Sequence, residues 1–142
     1  MLRNLLFGLP MMIGCLFIQV VLLVAAVRFY QRHTQLLSTS SLWGSAAVLT
    51  GVMLLLIVGN IGQIALWALL FMLLREFPHF SDAFYHSAVN FATLGYGDVV
   101  MSPRNRLLGP LEAINGALMV GVSTATLLVV FQNALQKRAQ RG

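Results

Sequence analysis

Charged side chains are scarce in this sequence. Only 9% of its 142 residues are Asp, Glu, Lys or Arg, whereas 58% are hydrophobic and the mean hydropathy is +0.83. An ordinary soluble globular domain does not have this balance. The sequence also has no low-complexity tract and no long polar linker. The composition therefore predicts an integral membrane protein.

The chain has a single cysteine, Cys15, which excludes an intrachain disulfide and leaves no cysteine cluster for a metal. Nine Lys and Arg residues against four acidic residues give a formal charge of +5. These basic residues are scattered at the ends of apolar segments, whereas nucleic-acid-binding proteins gather them in a patch. We therefore predict that they flank a membrane and that the chain binds lipid and no nucleic acid.

Three uncharged and mainly apolar runs cover residues 4–27, 44–74 and 113–136. A helix needs about 20 such residues to cross a membrane, so each run predicts one crossing. The first run is longer than the apolar core of a signal peptide, which is about 7–15 residues. No small-residue cleavage site precedes Arg28. We interpret this run as a retained helix.

The second run would be about 46 Å long as a helix, at about 1.5 Å per residue. That length favours one tilted or protruding crossing. Gly59, Asn60, Gly62 and Gln63 interrupt its middle. Small residues let helices approach closely and amides form hydrogen bonds between them, so these residues predict helix packing, with a transport site as the alternative.

A short helix and a loop follow the second run. Pro78 is expected to end the long helix, and Ser81 or Asp82 to cap a new one that continues to Ala92. That helix is too short to cross the membrane. Loop backbone survives within a membrane only when it is buried in protein or lines water. The pattern therefore predicts a re-entrant hairpin that faces a pore or a cavity.

The loop carries glycine at alternate positions, Gly95 and Gly97. Because glycine adopts positive φ cheaply, this spacing permits a backbone whose successive carbonyls point to one side. Such a row can replace the water around a cation. One chain supplies only one row, so several chains must surround an axis to enclose the ion.

The loop sequence Thr93-Leu94-Gly95-Tyr96-Gly97-Asp98, between a short helix and a long one, resembles the selectivity filter of the potassium-channel pore-domain family. The similarity extends from Gly44 to about Asn133. It implies a homotetramer with K⁺ ions as the bound cofactor and no small-molecule substrate beyond ions. It further implies K⁺ coordination by the carbonyls of Thr93, Leu94, Gly95, Tyr96 and Gly97, aided by the Thr93 hydroxyl.

The resemblance also assigns supporting roles. Tyr96 is expected to point away from the ions and brace the filter, and Asp98 to lie at the outer mouth, where a carboxylate attracts cations. Tyr85 and His86 stand where many members of the family carry aromatic pairs that bond to the filter tyrosine and aspartate. The short helix is expected to aim its negative C-terminal end at the centre of the membrane.

The filter departs from the usual family pattern at two positions. Ala92 replaces the first of two threonines, and Leu94 replaces a valine. We expect these changes to compensate, because alanine leaves volume that leucine needs. They leave open a weakly selective cation channel, and a non-conducting scaffold or accessory subunit is a third hypothesis.

The last apolar run contains two glycines, Gly116 and Gly121. The family often bends its inner helix at a glycine, which makes Gly121 the preferred hinge, while close helix packing is the alternative for both. The resemblance also suggests cavity-lining residues, namely Ser123, Thr124 and Thr126. Glu112 is expected to be paired or near the outer interface, with direct ion binding as the alternative.

The predicted fold is an all-α membrane protein with three transmembrane helices, a re-entrant pore helix and a filter loop. Residues 1–41 form the first helix and a cytoplasmic loop, 42–136 the pore domain and 137–142 a basic tail. Within the pore domain we assign the outer helix to 43–75, the pore helix to 82–92, the filter to 93–98 and the inner helix to 107–134.

We predict that the protein lies in the plasma or inner membrane of the cell. If Asp98 is outside, three crossings place the N-terminus outside and the C-terminus in the cytoplasm. The first helix has no regularly spaced arginines, which argues against a voltage sensor. We expect it to pack on the outside of the pore. The nearby Ser81, Asp82 and His86 lack a nucleophile elbow or metal spacing, so we predict no enzyme.

Overall fold

The computed structural model describes residues 1–33 and 42–139. Residues 34–41, which belong to the predicted cytoplasmic loop, and residues 140–142 of the predicted tail lie outside the described residues. Four helices span Leu2–Arg32 (α1), Leu42–Leu73 (α2), Phe80–Phe91 (α3) and Leu108–Ala139 (α4). Over the described residues there is no strand. The all-helical prediction is confirmed.

Within the described parts of the chain, three segments are long and apolar enough to cross a membrane, at Leu2–Arg32, Ala46–Leu73 and Leu108–Gln136. They coincide with the three apolar runs of the sequence. The short helix α3 lies between the second and third of them along the chain. This order of elements confirms three membrane-compatible helices with a half-length helix before the last.

The outer helix α2 ends at Leu73, two residues before the expected end at residue 75. The Glu76 amide donates to the carbonyl of Phe71 and the Arg75 amide to that of Met72, with φ of +57° at Arg75. These are the bonds of a Schellman motif. Backbone hydrogen bonds to the carbonyls of its last turn therefore end the helix before Pro78.

The pore helix α3 begins earlier than expected. His79 is its N-cap residue, in extended backbone with φ of −121°, and no side chain caps the helix. The predicted cap at Ser81 or Asp82 is therefore wrong. Asp82 lies in the first turn instead, where its negative charge still favours the helix dipole.

The helices pack around two apolar cores. One contains residues of all four helices and includes Cys15, Trp67, Phe71, Phe91 and Met119. The other joins α1, α2 and α4 alone, and it includes Ala26, Val52, Leu56 and Val130. Helix α1 contacts both α2 and α4, while α3 contacts the same two helices. The first helix is therefore an integral part of the packed chain.

Amide side chains join the three long helices. Gln63 Nε2 of α2 donates to Gln19 Oε1 of α1 at 2.8 Å, and Gln19 Nε2 donates to Ser123 Oγ of α4 at 2.9 Å. A Cβ atom on Gly59 would lie 2.2 Å from Leu22, so α1 and α2 touch closely there. The packing interpretation is confirmed at Gly59 and Gln63. At Gly62, in contrast, nothing lies within 4 Å of an added Cβ atom.

Candidate functional site

The loop after α3 has a backbone that alternates in handedness. The angle φ is +60° at Thr93, +59° at Gly95 and +76° at Gly97. The intervening residues, Leu94 and Tyr96, do not have positive φ. Glycine accommodates this conformation without strain at two of the three positions. The alternate glycines of the sequence are thus used as their spacing predicts.

Thr93 reaches positive φ because α3 ends in a Schellman motif. The Leu94 amide donates to the carbonyl of Val89 at 2.9 Å, and the Thr93 amide donates to that of Asn90 at 2.8 Å. A left-handed conformation costs a non-glycine residue about 1–3 kcal/mol, which the two bonds and the packing of α3 must offset. The end of the pore helix therefore sets the conformation of the first loop residue.

The loop is accessible along its whole length in the single chain. Residues 92–98 are all exposed, and the side chains of Leu94 and Tyr96 are 55% and 65% accessible. Ala92 is the C-cap residue of α3. The predicted filter residues therefore lie together on one open stretch, with two large apolar side chains uncovered.

Asp98 is tied to the pore helix by Tyr85. The Tyr85 hydroxyl donates to Asp98 Oδ2 at 2.6 Å. This bond is the main cause that lowers the pKa of Asp98 below its ordinary value, and it raises the pKa of Tyr85. Asp98 therefore keeps its negative charge at neutral pH while its carboxylate is held against α3.

Within the single chain His86 bonds to neither Tyr96 nor Asp98, and Tyr85 alone makes the expected bond to Asp98. The His86 Nδ1 donates to the carbonyl of Val99 at 2.8 Å, and its Nε2 lies 2.8 Å from Asn90 Nδ2. The ring is buried against Phe71. Since a carbonyl only accepts and Asn90 Nδ2 only donates, the network holds the neutral imidazole.

Burial is the largest influence on His86 and lowers its pKa, against the opposing effect of its bond to Val99. The ring therefore stays neutral at pH 7. The residue supports the segment that follows the loop, since its partner Val99 comes directly after Asp98. Its ring packs against those of Phe71 and Phe77.

A polar network at the end of α2 was not predicted from the sequence. Glu76 accepts from the Ser102 amide at 2.7 Å, from the Ser102 hydroxyl at 2.8 Å and from Asn105 Nδ2. Burial raises the pKa of Glu76, but these hydrogen bonds together have the larger effect and lower the pKa below its ordinary value. Arg3 of α1 donates to Asn105 Oδ1, and the N-terminal end of α1 is thereby joined to the same loop.

Glu112 lies fully buried at the back of α3. Its side chain is 0% exposed, and Oε1 is hydrogen-bonded to the hydroxyl of Ser87. The structure therefore agrees with the paired alternative. Ser87, its partner, also contacts the carbonyl of Ile64 in α2, so Glu112 lies where α2, α3 and α4 meet.

The two glycines of α4 have different surroundings. A Cβ on Gly116 would lie 2.1 Å from the carbonyl oxygen of Phe91, the last residue of α3, whereas nothing lies within 4 Å of a Cβ on Gly121. Both residues are helical. Gly116 therefore allows α4 to pack closely against α3. The hinge at Gly121 stays a prediction.

The three hydroxyl residues proposed for the cavity do not share one face. Ser123 is 6% exposed and accepts from Gln19, so it faces α1 and the prediction for it is wrong. It lies one turn from buried Met119, on the same side of the helix. Thr124 is exposed, and its hydroxyl donates to the carbonyl of Val120 at 2.9 Å. Thr126 is half-buried and bonds one turn back in the same way.

Among residues 1–33 and 42–139, side chains form no cluster of His, Cys, Asp or Glu that could hold a metal ion. Backbone carbonyls of the loop can offer a hard cation the oxygen ligands that it prefers.

A protein-family model described as an ion channel matches residues 53–133, which is more than half of the chain. The match begins within α2, includes α3 and the whole loop, and ends within α4. Comparison with curated proteins gives no match, and comparison with solved structures gives none either.

Proposed function

The chain belongs to this ion channel family, and on that premise we propose that it forms a potassium-selective channel of four identical subunits. One observation carries the proposal. The loop at the C-terminal end of α3 alternates between positive φ at Thr93, Gly95 and Gly97 and other values between them. Three membrane-compatible helices make the chain a multi-pass membrane protein in which such a loop can conduct.

The alternating backbone supports ion coordination by carbonyls. Alternation of left-handed and right-handed backbone conformations turns successive carbonyls to one side of a chain. In selectivity filters, rings of such carbonyls replace the hydration shell of K⁺. The proposed ligands are the carbonyl oxygens of residues 93–97 together with the Thr93 hydroxyl. Since no side-chain charge takes part, a bound ion is held by dipoles and can leave again.

Electrostatics of the flanking residues favour a cation. Asp98 holds a negative charge beside the loop, which raises the local concentration of cations at the outer mouth. The C-terminal end of α3 meets the loop at Ala92, and the helix dipole is negative there. The proposed ion path therefore has negative potential at both ends of the filter.

Four copies are needed because one chain supplies one wall. The exposed side chains of Leu94 and Tyr96 would be costly beside water or lipid headgroups, and contact with neighbouring subunits would cover them. In this arrangement Tyr96 braces the filter from behind. The outer mouth at Asp98 then fixes the N-terminus outside and the C-terminus in the cytoplasm.

Reconstituted vesicles test the proposal. Purified protein should pass K⁺ down its gradient, pass Na⁺ much more slowly, and be blocked by Ba²⁺. Gly95→Ala places a side chain at φ of +59°, which costs about 1–2 kcal/mol in each subunit and should abolish flux. Gly14→Ala is the matched control, because nothing lies within 4 Å of its Cβ and its φ is not positive.

Each other result selects another function. Equal K⁺ and Na⁺ permeability in reversal-potential measurements would replace potassium selectivity by weak cation selectivity, which the exposed Leu94 in place of valine favours. Vesicles that pass no cation would instead support a non-conducting scaffold. Full flux through Gly95→Ala would contradict the carbonyl mechanism.

A further inference from the structure

Ser87 of α3 stands between two oxygen atoms of different helices. Its hydroxyl lies 2.9 Å from the carbonyl of Ile64 in α2 and contacts Oε1 of Glu112 in α4. A serine hydroxyl has one proton to donate, and a backbone carbonyl can only accept. If the Ser87 proton goes to Ile64, the proton in the contact with Glu112 must come from the carboxyl group.

The surroundings of Glu112 lead to the same assignment. The side chain is 0% exposed. Among the described residues no Arg, Lys or His forms an ion pair with it, and the groups that face it are Ser87 and Asn90 of α3 and the Cys15 thiol of α1. Its second oxygen, Oε2, has no hydrogen-bond partner within the described part of the chain. A buried charge needs a partner, whereas a neutral acid needs far less.

We infer that Glu112 is a protonated, neutral carboxylic acid whose Oε1–H donates to Ser87, which in turn donates to the carbonyl of Ile64. The resulting chain of hydrogen bonds runs from the inner helix through the pore helix to the outer helix. Glu112 is thus a positioning residue for α3, and the loop of alternating φ begins at Thr93, two residues after the end of that helix. The inference concerns the channel fold and does not require potassium selectivity.

Infrared spectroscopy of the purified full chain in vesicles at pH 7 tests the protonation state. Wild type should show the carbonyl stretch of a neutral carboxylic acid, sensitive to exchange into D₂O, and Glu112→Gln should lack it. Glu76→Gln is the matched control, since hydrogen bonds hold Glu76 as a carboxylate and the band should remain. The chain has only four Asp and Glu residues, so the assignment is simple.

The hydrogen-bond chain predicts two further results. Ser87→Ala removes the acceptor of the Glu112 proton and should shift the frequency of the band. Glu112→Gln retains a neutral donor and should unfold at a temperature closer to that of wild type than Glu112→Ala does. Absence of the band in wild type, or its survival in Glu112→Gln, would overturn the inference. Absence of K⁺ flux alone would contradict the proposed function and not the proton on Glu112.

Discussion

The contact between Gly116 and the end of the pore helix gives a sharp prediction. A Cβ at residue 116 would lie 2.1 Å from the carbonyl oxygen of Phe91 and 2.7 Å from its Cα. Both neighbours are backbone atoms, so no side chain can rotate aside. We expect Gly116→Ala to push α4 away from α3 by about 1 Å, and such overpacking costs about 1–3 kcal/mol.

The same helix provides a matched control. Gly121→Ala adds the same methyl group where nothing lies within 4 Å. Both substitutions gain the same helix propensity, about 1 kcal/mol, so that gain cancels in the comparison. The difference in unfolding free energy between the two variants therefore reports the overpacking alone. Equilibrium denaturation of the purified protein, followed by circular dichroism, should show Gly116→Ala as the less stable variant by about 1–3 kcal/mol.

Potassium flux is a second measurement that distinguishes Gly116→Ala from Gly121→Ala. Because Phe91 precedes Thr93 by two residues, displacement of its carbonyl should disturb the loop, and Gly116→Ala should lose flux. Loss of flux in Gly121→Ala with unchanged or raised stability would instead indicate a hinge at Gly121. The reasoning is refuted if Gly116→Ala is as stable as Gly121→Ala and conducts like wild type.

Three more predictions concern the loop and its supports. Tyr85→Phe removes the main cause of the lowered pKa of Asp98, so the acid-induced loss of flux should move to higher pH, toward the ordinary aspartate value of about 3.9. Burial lowers the pKa of His86, so the unfolded chain binds more protons below about pH 6.5. The unfolding free energy should therefore fall as the pH drops through that value, and His86→Gln should remove the dependence. Ala92→Thr should weaken conduction alone and be rescued by Leu94→Val in the double variant, whereas additive effects would refute the coupling.

The sequence was most informative about the membrane-crossing helices. Uncharged runs of about 20 residues or more are the direct signature of crossing, because lipid imposes the same length on every such helix. The backbone of the loop was also predictable, since Gly95 and Gly97 are positions that favour positive φ. Thr93 was not, because its conformation follows from carbonyls of α3 that close the helix end.

Side-chain orientation was the main source of error. Ser123 faces α1, where Gln19 donates a hydrogen bond to its hydroxyl. No sequence pattern within α4 indicates this contact. His86 bonds to Val99 and Asn90 within the chain, contacts that the resemblance did not indicate. The Glu76 network was missed for the same reason, since its partners lie 26 or more residues further along the chain.

The most direct test of the account is an experimental structure of the assembled protein in Rb⁺ or Tl⁺, with the ions located by their anomalous scattering. We expect several ions in a line on a fourfold axis, each surrounded by carbonyl oxygens of residues 93–97 from four chains. Carbonyls that point away from any shared axis, or a loop that binds no ion, would contradict it.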